Sequence, residues 1–557
     1  MKRSLLMLLF LVSFVLFGQA GKPEKVITDA DITATSGNVF WSKDTVYVLD
    51  GFVYVEEPSV LTIQAGTVVK AKETPSVSDV ASALIICRGA KIIAEGTRNE
   101  PIIFTTEYDD TDLPDDGTDT QVDFTLDRGL WGGLVLLGNG RLNVADEKVV
   151  EGLPATEPRA MYGRGASNFD DEDSSGVLRY VSIRYTGITV ESNKELQGLT
   201  LGCVGSKTVI EYIESFCSDD DGYEWFGGTV NTKYLIAAYA TDDGFDYDQS
   251  FRGKGQFWFA IQDTGVGDHI GEWDSGDAGA LTNEPLSKPV IFNATFLGRG
   301  ATATGGDDAI RMKEFAGGEV YNSIITDFDN DFVNVDSGAG STCYDRFVAG
   351  QIKFENNLVY KPSSTWEDIC VKKFMWNYMG NSSNNNTLSD PQLTSLSRSE
   401  GNNSFDPRPV AGGLAYTAPK KSVPDSWFTT TSYVGAFGDD LWYAPWSAIY
   451  QNNISVITSI KENKNLVDIP TDYQLMQNYP NPFNPTTNIQ FALPEAGNVK
   501  LTIYNILGQE IQTLVNSYKE AGNYTITWNA ENLSSGTYIY RLESNSKVLI
   551  NKMTLLK

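Results

Sequence analysis

The chain has 557 residues and a formal net charge of −29, with 72 acidic side chains, 43 basic side chains and one histidine. This charge excludes a nucleic-acid backbone as a partner, because binding phosphates requires a basic surface. The single histidine excludes a zinc site built from several histidines. The acidic surplus favours a cation as a ligand instead.

The first twenty residues have the pattern of a secretory signal peptide. Lys2 and Arg3 precede an uncharged apolar run over residues 4–17, and a stretch of small residues ends at Ala20. We predict cleavage after Ala20. The apolar run is too short for a membrane span, and no later segment reaches the length of about 20 residues that a span needs. The mature chain is therefore predicted to have no integral membrane segment.

Short β-branched and aromatic runs separated by Gly, Asp and Asn recur along the rest of the chain, and helical periodicity is almost absent. Residues 212–222 are followed one period later by the similar segment 234–244. A strand, a polar turn and a return within about 20–30 residues fit one coil of a parallel β-helix, whereas a propeller blade takes about 40 residues. The predicted fold is all-β, a right-handed parallel β-helix followed by a small Ig-like β-sandwich.

Several segments in the body of the chain resemble a family of exported Bacteroidetes-type proteins with a pectin-lyase-like β-helix. They are residues 61–70, 83–97, 101–106, 131–138, 220–228 and 434–438, together with Trp442 and Trp446. The resemblance covers most of residues 40–450. It implies the fold, but that family has no common activity to carry over.

Five cysteines, Cys87, Cys203, Cys217, Cys343 and Cys370, could form at most two bridges. A Cys343–Cys370 bridge, a Cys203–Cys217 bridge and small buried side chains all stay open, because sequence alone does not fix connectivity.

Composition divides the chain into four parts. These are a signal peptide (1–20), a β-helix-like domain (21–450), a linker (451–472) and a last domain (473–557). The last domain holds six Lys or Arg and five Glu, a net charge of +1, which leaves −30 for the rest. The acidic character therefore belongs to the body.

The last domain resembles the type A sorting domain of type IX secretion. The resemblance rests on the Asn478-Tyr-Pro-Asn-Pro-Phe motif and on three later motifs that follow in the expected order. The motif residues are Asn478, Tyr479, Pro480, Asn481, Pro482, Phe483, Gly508, Gly536, Lys552 and Lys557. The resemblance implies export by Sec to the periplasm and then across the outer membrane, to the cell surface or the medium. The implied partners are the type IX translocon and its sorting peptidase.

Two acidic turns, one coil apart, form the first candidate site. They contain Asp219, Asp220, Asp221, Glu224, Asp242, Asp243, Asp246 and Asp248. Stacked coils would bring the two turns about 4.8 Å apart, where like charges repel by roughly 1 kcal/mol per pair even in water. Ca²⁺ is the predicted cofactor, because it takes six to eight oxygen ligands. The alternatives are solvated turn residues and neutralisation by Arg252 and Lys254.

A second candidate set is Asp307, Asp308, Arg311 and Lys313. It is faintly similar to the Asp-Asp and Arg-x-Lys elements of polygalacturonases, in which paired acids protonate the leaving group and activate water. Their Gly-His-Gly element is missing, and the only histidine, His269, lies in a predicted loop.

These features favour a secreted or cell-surface β-helix protein of binding or structural type, stabilised by calcium and interacting with carbohydrate. The alternative is a polysaccharide lyase or glycoside hydrolase on the same fold. A polysaccharide is thus a candidate partner in both hypotheses. Tyr223, Trp225, Phe226, Phe245 and Tyr247 could stack on sugars if exposed, but we expect most of them to fill the coil interior.

Overall fold

The computed structural model describes residues 22–556, apart from positions 34, 36, 110–125, 192–193, 278–279, 301, 339–341, 399–403, 453, 455–472, 477, 479–480, 495–496, 507, 520–521, 531–532 and 545–546. The predicted signal peptide and most of the predicted linker lie outside the described residues. The chain forms two compact units, residues 1–456 and 457–557. Among the described residues, no helix is long and apolar enough to cross a membrane.

Two parallel sheets form the first unit. The long sheet contains Glu24–Ile27, Asn38–Trp41, Val46–Leu49, Val60–Ile63, Val68–Ala71, Lys91–Glu95, Ile102–Thr106, Gly176–Arg184, Val209–Phe216, Asn231–Ala238, Lys254–Ile261, Val290–Phe292, Thr295–Leu297, Gly318–Tyr321, Ile324–Thr326, Ile352–Glu355, Leu358–Tyr360 and Thr387–Leu388. The nine-stranded sheet contains Phe52–Val55, Ala83–Ile86, Leu134–Leu137, Leu199–Gly202, Tyr223–Phe226, Phe245–Asp248, Gly271–Trp273, Ile310–Met312 and Val333–Val335.

Short elements decorate these sheets. The antiparallel pairs are Lys148–Val149 with Met161–Tyr162, Thr189–Glu191 with Lys194–Glu195, and Leu393–Ser395 with Asp406–Pro409. The α-helices are Cys343–Val348, Trp366–Ile369, Lys373–Met379, Leu414–Thr417 and Ala448–Gln451, and the 3₁₀ turns are Asp29–Asp31, Pro158–Ala160 and Ser382–Asn384.

The register shows that one coil stacks directly on the next. Tyr223 pairs with Phe245 in the nine-stranded sheet, and Ile213 pairs with Leu235 in the long sheet. In both pairs the partners are separated by the period of the sequence repeat. The prediction of a parallel β-helix is confirmed, because each coil covers the apolar interior of its neighbour.

Most aromatic residues beside the acidic turns fill the interior of the coils, as expected. Tyr223, Trp225, Phe245 and Tyr247 are fully buried there, whereas Phe226, which is 4% exposed, packs in a separate apolar cluster on the other face of the sheet. All five cysteines are among the described residues, and each is a buried thiol rather than half of a disulfide. The interpretation of the cysteines as small buried side chains therefore fits the structure.

Long strands of the long sheet bend at a non-glycine residue with left-handed backbone. Tyr180, Tyr212, Tyr234 and Phe257 have φ values of 49°, 58°, 57° and 59°. For bulky residues this conformation costs roughly 1–2 kcal/mol each. The four rings stack in one column, with centroids 4.4, 4.2 and 4.6 Å apart, and the stacking offsets the cost. In later coils asparagines occupy left-handed positions, at Asn293, Asn322 and Asn356.

The second unit consists of two antiparallel sheets. One contains Gln474–Leu475, Thr486–Leu493 and Gly522–Asn529, and the other contains Glu510–Lys519, Gly497–Asn505, Gly536–Ser544 and Lys547–Leu555. Both sheets contribute to one apolar cluster that includes Ile489, Ile503 and Trp528. This arrangement is a small β-sandwich, the architecture predicted for the last domain.

The ring column generates the first prediction. Tyr212→Ala removes stacking on both ring faces, so it should lower the free energy of unfolding by about 3 kcal/mol in chemical denaturation. Tyr212→Asn should cost about 1 kcal/mol less, because asparagine tolerates the left-handed conformation that this position needs. A loss below about 1 kcal/mol for both variants would show that the column does not stabilise the bend.

Candidate cation-binding site

A row of polar residues runs along the outward face of the nine-stranded sheet. Glu224 pairs with Asp246, and Glu272 pairs with Arg311, which in turn pairs with Asn334. Tyr247 pairs with Trp273, so Asp246 and Glu272 are also neighbours in register. Alternation along each strand therefore directs the aromatic residues inward and the polar residues outward.

The turns before and after these strands add further rows of polar residues. We call the whole set the acidic ladder. It consists of Asp220, Asp221, Glu224, Asp242, Asp243, Asp246, Asp248, Asp268, His269, Glu272, Asp274, Asp307, Asp308, Arg311 and Lys313. The ladder crosses four successive coils, and equivalent positions of the coils lie side by side.

The structure brings the two sets of residues from the sequence onto this one ladder. Seven of the eight predicted cation ligands belong to it. The exception is Asp219, an exposed turn residue whose Oδ1 accepts a hydrogen bond of 3.4 Å from the Thr241 hydroxyl. Asp307, Asp308, Arg311 and Lys313 continue the same rows two coils later. In the sequence, the two sets look like separate sites.

The residues between the two sets were missed. Asp268, Glu272 and Asp274 occupy the positions of Asp242, Asp246 and Asp248 in the next coil, and His269 occupies the position of Asp243. The signal was present, because Asp-His-Ile-Gly-Glu-Trp-Asp at 268–274 repeats the spacing of Asp-Asp-Gly-Phe-Asp-Tyr-Asp at 242–248.

Burial disfavours the charged form of most carboxyl groups in the ladder. It raises the pKa of Asp220, Asp243 and Asp248 to about 7, that of Asp274 to about 9, and those of Asp221, Glu224 and Asp246 well above the ordinary values. Repulsion from neighbouring acids contributes to the pKa shifts of Asp221, Glu224 and Asp246. Proton binding is thus one way in which the apo ladder lowers its charge.

In the later coils, basic side chains provide the compensation. Lys313 Nζ lies 2.5 Å from Glu272 Oε2 and 3.6 Å from Asp274 Oδ2. Burial lowers the pKa of Lys313, but Asp274 and Glu272 outweigh this effect and raise it above its ordinary value. Arg311 lies 3.4 Å from Asp308. These acids are therefore partly neutralised by the protein itself.

In the earlier coils, three acids have no such partner among the described residues. In the part of the chain that the structure describes, no Lys, Arg or His nitrogen lies within 4.0 Å of a carboxylate oxygen of Asp221, Glu224 or Asp246. Glu224 Oε2 and Asp246 Oδ1 are buried and have no hydrogen-bond partner. A buried polar atom without a partner costs about 1–3 kcal/mol.

These three carboxylates fit a hard cation. One oxygen each of Asp221, Glu224 and Asp246 lie within 4.8 Å of one another, and the same holds for Asp220, Asp221 and Asp242. Five clustered carboxylates offer only oxygen donors, which are the ligands that Ca²⁺ prefers. The buried oxygens without partners are the atoms that an ion would contact.

In the second unit, the first residues of the sorting motif hold the sheets together. The Asn478 backbone N–H donates to the Tyr540 hydroxyl at 2.9 Å, and the Asn481 side-chain oxygen accepts from the Thr554 backbone N–H at 2.9 Å. Phe483 is buried in the sandwich core. Gly508 lies in a turn, while Gly536 and Lys552 lie on strands. Tyr479, Pro480 and Lys557 lie outside the described residues.

Comparison with known families agrees with this architecture. The profile of the pectate-lyase-like β-helix domain matches residues 32–394, which is more than half of the chain. The chain therefore belongs to the pectate-lyase-like β-helix family. No curated protein matches the chain.

The C-terminal domain determines where the protein is exported. The profile of the secretion system C-terminal sorting domain matches residues 477–555. The protein is thus exported through the type IX secretion machinery across the outer membrane, to the cell surface or the medium. This domain interacts with that machinery, as the sequence motifs implied.

The role of Lys313 as a built-in counter-ion gives the second prediction. Lys313→Met keeps the aliphatic stem but leaves Glu272 and Asp274 without their cation. The ion pair between Lys313 and Glu272 is only partly buried. We therefore expect a loss of about 1–2 kcal/mol in the free energy of unfolding, measured by chemical denaturation in chelator. Lys207→Met, which breaks the exposed pair with Glu172, is the matched control and should change little. Equal effects of both substitutions would contradict the role of Lys313.

Proposed function

We propose that this exported β-helix protein is a non-enzymatic binding or structural module of the cell surface, and that Ca²⁺ in its acidic ladder stabilises it. The ion contacts Asp221, Glu224 and Asp246, with Asp220 and Asp242 completing the oxygen set. The observation that supports this proposal is the pair of buried carboxylate oxygens, on Glu224 and Asp246, that have no hydrogen-bond partner.

Energetics also favour an ion at this point of the ladder. Burying several carboxylates side by side is unfavourable unless they bind protons or pair with a cation. The later coils use Lys313 and Arg311 for this purpose, whereas Asp221, Glu224 and Asp246 have no basic partner within 4.0 Å among the described residues. Ca²⁺ would release the protons and fix neighbouring coils to each other, which would make the surface rigid.

The test is a crossed comparison of thermal stability. In chelator, Glu224→Gln should raise the melting temperature, because it removes one buried acid and its repulsion. With Ca²⁺ at about 100 times its Kd, the wild type should gain about 2.7 kcal/mol and the variant much less. The order of the two melting temperatures should therefore reverse when Ca²⁺ replaces the chelator.

Glu24→Gln on the exposed first strand is the control for the loss of one negative charge. It should respond to Ca²⁺ as the wild type does. A wild-type melting temperature that is the same in chelator and in Ca²⁺ would disprove the calcium proposal. A Ca²⁺ response that Glu224→Gln retains in full would show that the ion binds elsewhere.

The second candidate function is a polysaccharide lyase or glycoside hydrolase. Its support is the convergence of Asp307, Asp308, Arg311 and Lys313 on one face, with Asp307 exposed. The pairing of these groups favours a structural role, because Lys313 is held by Glu272 and Asp274 while Arg311 faces Asp308. A protonated lysine between two acids is a poor general base.

A panel of neutral and acidic polysaccharides distinguishes the two functions. We expect no reducing or unsaturated sugar products from the purified protein, with or without Ca²⁺. Release of such products by the wild type and by Glu24→Gln, together with its loss in Asp307→Asn, would replace the binding proposal with the enzymatic one.

A further inference from the structure

The single histidine of the chain is held in one orientation by the preceding coil. Its ring Nδ1 lies 3.1 Å from Asp243 Oδ1, and its backbone N–H donates to the same oxygen at 2.7 Å. The same oxygen already accepts the backbone N–H, so we assign Nδ1 as the donor of this contact. In the neutral imidazole the lone pair is then on Nε2.

The other ring nitrogen is buried and has no hydrogen-bond partner among the residues that the structure describes. His269 is only 5% exposed, and Nε2 is among the buried atoms without a partner. It faces Asp307, whose Oδ1 lies 3.9 Å away. This distance is too long for a hydrogen bond but leaves room for an ion between the two groups.

A second carboxylate completes the cluster. One oxygen each of Asp268 and Asp307 and one ring nitrogen of His269 all lie within 4.8 Å of one another. Asp268 Oδ2 lies 3.7 Å from Nδ1, so a metal on Nε2 requires this carboxylate to turn towards Nε2. Backbone hydrogen bonds position both acids of the cluster. The Asp268 N–H donates to the Asp242 carbonyl, and the Asp308 N–H donates to Asp307 Oδ1. Asp307 is exposed, so an ion can reach the cluster from solvent.

We infer that His269, Asp268 and Asp307 form a second metal site, which takes a first-row transition metal such as Zn²⁺. A site with one imidazole nitrogen and two carboxylates suits Zn²⁺, which accepts mixed nitrogen and oxygen ligands. Ca²⁺ and Mg²⁺ prefer oxygen alone. Water occupies the remaining coordination positions.

Asp243 acts as a positioning residue for this site. A carboxylate that accepts the other N–H of a ligating histidine fixes its tautomer and makes the ligand nitrogen more basic. The contact between Asp243 and Nδ1 has this geometry. The ligands come from two neighbouring coils and the supporting carboxylate from a third, so the metal would join successive turns of the β-helix.

This site is independent of the calcium proposal. Its ligands share no residue with the proposed calcium set, although an oxygen of Asp268 lies within 4.8 Å of an oxygen of Asp242, and the two ions belong to different chemical classes. One protein should therefore bind Ca²⁺ and Zn²⁺ at the same time. Loss of one site should leave the other intact.

The experiment uses ¹⁵N-labelled full-length protein purified with a tag that contains no histidine, so that His269 is the only imidazole. Zn²⁺ is titrated in the presence of saturating Ca²⁺, with calorimetry for affinity and long-range ¹H–¹⁵N spectra for the ring nitrogens. We expect Zn²⁺ to move the Nε2 resonance while Nδ1 stays protonated. His269→Gln and Asp307→Asn should each weaken Zn²⁺ binding by about tenfold or more.

Glu224→Gln is the matched control, because it alters the proposed calcium ligands and should leave the Zn²⁺ affinity unchanged. Conversely, His269→Gln should keep the stabilisation by Ca²⁺. The inference is overturned if Zn²⁺ leaves both ring nitrogens unchanged, as in a simple ion pair between His269 and Asp307. It is also overturned if His269→Gln and Asp307→Asn bind Zn²⁺ as tightly as the wild type. Neither result would affect the Ca²⁺ measurement on Glu224→Gln.

Discussion

In-register stacking of parallel coils is the constraint on which the rest of this structure depends. Neighbouring strands lie about 4.8 Å apart, so each residue contacts the residue at the equivalent position of the next coil. The same geometry puts tyrosine on tyrosine at Tyr212 and Tyr234 and acid on acid at Glu224 and Asp246. Stacking is favourable for rings and unfavourable for carboxylates.

The repulsion between stacked carboxylates is compensated differently in different coils. In the coils around Glu272, the side chains of Lys313 and Arg311 supply the compensating positive charge. In the coils around Glu224, the described residues place no basic nitrogen within 4.0 Å of Asp221, Glu224 or Asp246. One continuous surface therefore contains a region with paired acids and a region with unpaired acids, and His269 lies near the boundary between them.

Much of this arrangement could be predicted from the sequence, because the repeat of segment 212–222 at 234–244 fixes which positions stack. The coil, the burial of most aromatic residues beside the acidic turns and the stacking of the two turns followed from it. Glu272 and Asp274 were missed because insertions after Ile261 delay the next strand, so the period between coils changes although the spacing within the turn is kept. The sequence shows His269 only as a loop residue. It does not show that Asp243, in the preceding coil, contacts the imidazole ring.

The strands that contain Glu224, Asp246, Glu272 and Arg311 begin at Tyr223, Phe245, Gly271 and Ile310, so the chain between successive starts becomes longer at each step. The spacing across the sheet stays the same, because the extra residues lie in the loops. Duplication or deletion of a whole coil would therefore lengthen or shorten the ladder without changing its local geometry. In evolutionary terms, the number of stacked acids and the size of the surface loops can vary independently on this scaffold.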